Sequence, residues 1–191
     1  MKNYIHVALT LFATVGALFI SSAQEFTETR KYKVAMIRAS EQEKGTSLLD
    51  IVLDGQEDTS KTTLVVTDYE LLSNVQLSIL SNPGLEGVVE IVKVRLAYYA
   101  CCSRTEDQYF MVTHSNAFVA LPRIETQYGY DPIRAVSYIF PNQAFGQEGT
   151  VLRAELHYNE TYIVNDIQVL QSFFWNDDDF DREDASIAIN E

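Results

Sequence analysis

The feature that most restricts the fold is a period of two running through Val88–Arg123, VVEIVKVRLAYYACCSRTEDQYFMVTHSNAFVALPR. From Val88 the even positions carry Val88, Glu90, Val92, Val94, Leu96, Tyr98, Ala100 and Cys102, mostly apolar, whereas the odd positions include Lys93 and Arg95. Successive side chains of a strand point to opposite faces, so this alternation predicts one buried and one wetter sheet face. A polar turn at Ser103–Asp107 leads into the return run Gln108–Leu121. That run has Phe110, Val112, Phe118 and Ala120 on one parity and Tyr109, Met111, Val119 and Leu121 on the other. Its less clean parity predicts a bulge or bend near His114–Asn116.

Shorter runs repeat the signal. Arg30–Ala39, Leu48–Leu53, Thr62–Thr67 and Ala135–Phe140 read as strands, and Thr150–Tyr158 with Thr161–Trp175 reads as a second hairpin turning at Asn159-Glu160. Asp54-Gly55 and Ser81-Asn82-Pro83-Gly84 are turn sequences. In Asp68–Asn82, Thr67-x-x-Glu70 has the form of a capping box, and Leu72, Val75 and Ile79 fall at helical spacing. Alternation fits slightly better there, so Val75–Leu80 is expected as a strand after one helical turn. About nine strands with regular turns predict an all-β, antiparallel sandwich, with a closed antiparallel barrel as the alternative. Val92, Val94, Leu96, Leu152, Leu156 and Val169 are its expected packing face, with little or no helix outside the N-terminal segment.

Met1–Ala23 has Lys2 near its start, an apolar run from Val7 to Ile20, and the small residues Ser21-Ser22-Ala23 before Gln24. That order is the order of a cleavable secretory signal. Its apolar centre is shorter than the roughly 20 residues of a spanning helix. The sequence therefore predicts a cut after Ala23, one β domain over 24–175, and an acidic tail over 176–191, irregular and disordered beyond about Glu183. The expected location is the periplasm or the medium, with no membrane span in the mature chain. The chain holds 27 acidic against 14 basic residues, a formal net charge of −13, and the leader takes away one lysine and no acid. Phosphate backbones and anionic lipids are bound by clustered Lys and Arg, so this balance disfavours nucleic acid and lipid surfaces.

Chemistry-bearing patterns are sparse. The two cysteines are adjacent, Cys101-Cys102. Neighbours on a strand point apart, so a vicinal disulfide acting as a switch is set against two small apolar residues packing at a strand end, and the second reading is preferred. Cys102 with His114 forms a conceivable thiol–imidazole pair without a local acid. Glu90, Glu155 and Asp166 are expected on solvent-facing sheet positions and do not declare a glycosidase pair. Asp177, Asp179 and Asp181 are the candidate calcium ligands, the one cofactor considered. Asn159-Glu160-Thr161 matches a glycosylation acceptor. The most suggestive residues are aromatic. Tyr128 and Tyr130 lie on a loop and Trp175 ends a Phe-Phe-Trp run, where rings can form a ligand platform, while Tyr98, Tyr158 and Tyr162 read as ordinary strand tyrosines. With no catalytic residue assigned, the sequence points to a non-catalytic binding or interaction module for a carbohydrate, peptide or protein partner. A small secreted hydrolase or thiol-redox protein, and a purely structural envelope protein, are the alternatives.

Overall fold

The computed structural model describes residues 24–39, 46–56, 60–99, 104–127, 134–176 and 179–183. The expected leader, Cys101, Cys102, Tyr128, Tyr130, Asp177 and the end of the acidic tail lie outside these residues. Among the described residues thirteen strands, numbered in chain order, form three antiparallel sheets. One has the order β2 (Tyr32–Ala39), β3 (Thr46–Leu53), β4 (Ser60–Thr67). The largest runs β1 (Thr27–Glu28), β5 (Leu72–Ser81), β6 (Val88–Tyr98), β7 (Arg104–Thr113), β8 (Phe118–Ala120), with β9 (Ile124–Gln127) also paired to β7. The third is β10 (Arg134–Ile139), β11 (Thr150–Tyr158), β12 (Val164–Asn176), β13 (Asp179–Glu183). None of the three closes into a barrel, which removes that alternative.

The period of two in β6 places Val92, Val94, Leu96 and Tyr98 in one hydrophobic cluster with Phe110 and Val112 of β7, Leu49 and Ile51 of β3, and Leu64 and Val66 of β4. Ile91, Tyr109 and Met111, on the opposite parity, enter a second cluster with Tyr138, Phe140, Val151, Phe173 and Trp175. Both faces of the β6–β7 pair are therefore buried, and each fully buried aliphatic side chain contributes about 1.5–3 kcal/mol. This explains the mixed parity of the return run: a strand covered on both sides reads as a nearly continuous apolar run. The wetter odd face predicted for β6 is buried at Ile91, and only Val89, Lys93, Arg95 and Ala97 retain exposure.

The bend expected near His114–Asn116 is a full reversal. Asn116, at φ 61°, closes the turn that returns β8 onto β7, with Val112 opposite Phe118. Arg104–Asp107, expected as turn, belong to β7 and pair with Arg95–Tyr98. Alternation predicted a strand over Val75–Leu80 after one helical turn; Tyr69–Leu71 form a single 3-10 turn and β5 follows it, starting at Leu72. Asp68, not Thr67, holds the cap position there, at φ 55° and without a side-chain capping bond. Leu152, Leu156 and Val169 do not share a packing face with Val92, Val94 and Leu96. They join Ile139, Ala154 and Ile167 in a third, smaller cluster on the β10–β13 sheet. The acidic stretch, expected to be irregular from Asn176, carries β13, in which Asp181 pairs with Phe174 and Asp179 with Asn176.

Candidate functional site

A cleft of about 370 Å³ opens beside β10. Its walls are the segment Gln24–Phe26, three successive β10 residues (Ser137, Tyr138, Ile139), the turn around Gln143–Phe145, and the β11–β12 connection at Tyr162–Val164. The wall is largely apolar, as small-ligand sites commonly are. Its floor is fixed by buried aromatic contacts. Phe26 meets Tyr109 edge-on at 5.9 Å between centroids and Phe140 at 6.2 Å. Tyr138 stands edge-on to Tyr109 at 5.2 Å and donates its hydroxyl to the Pro122 carbonyl at 3.0 Å. Burial pushes the Tyr138 phenol up to about 12, so it remains a neutral donor at physiological pH.

Two aromatic rings stand on the rim, and their backbones are unusual. Phe145 has φ 64° and Tyr162 has φ 59°. Among the described residues the other non-glycine positions with positive φ are Asp68, Asn82 and Asn116, types that tolerate this region. A bulky aromatic there costs about 1–3 kcal/mol and persists only where surrounding bonds over-determine it. Those bonds are present. Asn159 Oδ1 accepts from the Thr161 amide (3.0 Å), the Thr161 hydroxyl (2.7 Å) and the Ile163 amide (3.0 Å), while the Tyr162 amide donates to the Asn159 carbonyl. Around Phe145, Gln143 Oε1 accepts from the Phe140 amide at 3.0 Å, and the Gly146 amide donates to the Gln143 carbonyl at 3.0 Å. A side chain at Gly146 would strike the carbonyl oxygens of Phe140 and Pro141, so the turn has room only for glycine after Phe145. Phe145 is 44% and Tyr162 77% exposed, so neither ring is held there by burial.

The cleft can hold a ligand, but among the described residues its lining carries no thiol, no imidazole and no pair of carboxylates. Glu25 is the one charged residue among the described lining residues, alongside the amides of Gln24 and Gln143 and the Ser137 hydroxyl. Such a wall suits a ring or chain with apolar faces and a few hydrogen-bonding groups, neutral or cationic rather than anionic.

The residues singled out in the sequence fall elsewhere. Trp175 is no platform: it is 9% exposed, packs in the core and donates its indole N–H to the Glu86 carbonyl at 2.6 Å. Tyr98 is buried, its hydroxyl 3.3 Å from Glu106. Tyr162 is a turn residue and not the strand tyrosine expected. His114 is exposed beyond the end of β7, and Cys102, its expected partner, lies outside the described residues.

Glu90, expected to face solvent, is 4% exposed and accepts from Lys31 Nζ and from the Tyr32 hydroxyl, the latter at 2.5 Å. Burial, then Glu90, drives the Tyr32 phenol far above its usual range. Two further carboxylates are enclosed in ion clusters. Glu106 bonds Arg104, and also Arg123 Nη1 at 2.9 Å. Asp107 is gripped by Arg95 through two bonds of 2.7 Å and by Lys93 at 3.0 Å. Glu90 and Leu96, the partner of Glu106, lie six positions apart on β6, about 20 Å, too far for a glycosidase pair. Glu155 lies 3.4 Å from His157 Nε2, and Asp166 is exposed and bonds the amide of Ile167. Among the described residues no group of three or more His, Cys, Asp or Glu is placed to hold a metal. The backbones of Asp179 and Asp181 lie in β13.

Phe145 and Tyr162 were missed because no alternation or motif marks them. The signals that point to them are the Asn159-x-Thr161 turn chemistry and the Phe145-Gly146 pair after Pro141. No helix among the described residues is long and apolar enough to cross a membrane. No family model, curated protein or solved structure matches this chain.

Proposed function

We propose that the chain is an exported, non-catalytic binding domain that seats a neutral sugar ring or a basic or aromatic peptide side chain on the rings of Phe145 and Tyr162. The observation that carries this reading is the placement of two exposed aromatics, both at left-handed φ, on the rim of one cleft. Strain kept where burial gives no return is accounted for by a ligand that contacts the rings. Glu25, and the absence of Lys, Arg and His among the described lining residues, support selection against anions. Tyr128 and Tyr130, which the sequence offers as platform rings, belong to this proposal. The leader order at Met1–Ala23 supports a place outside the cytoplasm. The hydrophobic clusters on both faces of the β6–β7 pair support a sandwich of stacked sheets.

The test is a glycan and peptide array probed with wild type, Tyr162→Ala, Phe145→Ala and Tyr128→Ala/Tyr130→Ala. Wild type should mark neutral glycans or basic peptides, and both rim variants should lose most of that signal. Preference for anionic ligands, or rim variants that bind like wild type, would remove the cleft from consideration.

A further inference from the structure

We propose that Gln24 is the mature amino terminus and that it closes on itself to a pyroglutamyl lactam forming part of the cleft wall. This rests on the proposed export cut after Ala23 and is independent of what the cleft binds.

A glutamine left at a chain end has its α-nitrogen within reach of its own side-chain Cδ. The neutral amine attacks Cδ, a new N–Cδ bond forms, the Cδ–Nε2 bond breaks, and ammonia leaves carrying the transferred proton. No oxidant or second substrate is consumed. The α-amino group titrates near 8, so an appreciable neutral fraction exists at physiological pH.

The surroundings of Gln24 favour the closed form. Its backbone nitrogen donates to the Asn142 carbonyl at 3.0 Å. With its amide in the donating orientation, the side-chain nitrogen reaches the Ser81 carbonyl and the Asn82 carbonyl, the latter at 2.8 Å. Asn142 Nδ2 itself donates to the Asn82 carbonyl at 2.9 Å, so the two nitrogens of Gln24 are bonded to one small patch formed by Ser81, Asn82 and Asn142. A lactam retains one N–H, which matches the single acceptor on Asn142. An ammonium would bring three donors and a full charge to a wall shared with Phe26, Tyr138 and Ile139. When ammonia leaves, the Asn82 carbonyl keeps its bond from Asn142, and the Ser81 carbonyl belongs to an exposed residue that water can serve. The segment that follows is anchored at once, through Phe26 in the aromatic floor and Thr27 paired with Ile79. The lactam is therefore held in the wall.

To test this, the full chain with its leader is expressed in a secreting bacterial host, and the exported protein is examined by intact mass and by amino-terminal peptide mapping. The expected species starts at residue 24 and is lighter by about 17 Da, one ammonia, than the open form. Its terminus resists stepwise degradation until pyroglutamyl aminopeptidase removes one residue. Gln24→Ala, exported in parallel, should be unblocked. An open, reactive Gln24 amine after days at neutral pH overturns the lactam alone. A terminus at any other residue, including retained Met1, overturns the cut and the lactam together. Neither result bears on the array signals of the cleft.

Discussion

Replacing Glu106 by alanine tests the ion cluster that joins the β6–β7 pair to its neighbours. Glu106 is 1% exposed, bonds Arg104, and holds Arg123 Nη1 at 2.9 Å, while Arg123 Nη2 reaches the Val65 carbonyl of β4 at 2.8 Å. Burial, then Glu106, raises the Tyr98 phenol well above its usual range, so the phenol stays neutral and Glu106 is the buried anion of the cluster, with the exposed Asp68 on Arg104 Nη1 at 3.1 Å. Removing it leaves Arg104 to Asp68 and Arg123 to the Val65 carbonyl, and breaking a buried pair in this way costs up to about 3–5 kcal/mol. The Arg104 and Arg123 side chains are 25% and 26% exposed, so water recovers part of that loss, and about 2–4 kcal/mol is the expected effect. In urea unfolding, with a slope of about 1–3 kcal/mol/M, the midpoint should fall by about 1–2 M. Glu106→Gln keeps volume and one acceptor and should lose about half as much. A Glu106→Ala midpoint within about 0.3 M of wild type would refute the argument, because the cluster would then contribute no more than an exposed pair.

Ile91→Ala should cost about 2–5 kcal/mol in the same assay, because Ile91 is wholly buried on the face of β6 that alternation assigned to water, while Val89→Ala should stay within about 0.5 kcal/mol. Burial pushes the Asp107 carboxyl up, but Arg95 and Lys93 outweigh it and hold the group below the usual carboxylate range. Its folded pKa is thus depressed: the stability it supplies is complete above about pH 4–5 and is lost as pH falls through the folded value, so Asp107→Asn should flatten the acid limb of a stability–pH curve. Gly84 has φ 85°, and a Cβ there would lie 2.7 Å from Asn142 Oδ1, so Gly84→Ala should lower the thermal midpoint by several degrees.

Strand content was legible in the sequence because alternation over β6, β11 and the start of β12 is a local signal. Which faces are covered is not local. Ile91 and Glu90 are neighbours on β6, and one is buried by Tyr138 and Phe173 from distant strands, the other by Lys31 and Tyr32. Nothing within a window of ten residues reports either burial. The position of β13 was hidden by its charge, since Asp179–Glu183 pairs through backbone bonds that composition does not announce. The cleft was legible only as a type: loop-borne aromatics were the expectation, but Trp175 went to the core and Tyr162, read as a strand residue, stands on the rim. Its position depends on three bonds to Asn159 Oδ1, which the acceptor-like Asn-Glu-Thr triplet spells without indicating their result.

The central claim, that Phe145 and Tyr162 serve a ligand and not the fold, is tested most directly by Phe145→Asn/Tyr162→Asn. Asparagine accepts left-handed φ, so the double variant relieves about 1–2 kcal/mol of strain per site against the modest burial of two largely open rings. The measurement is the thermal midpoint beside the glycan and peptide array signal of the same preparation. The account predicts a midpoint equal to or above wild type together with loss of array binding. A midpoint many degrees lower, with binding retained, would contradict it and make the two rings part of the scaffold.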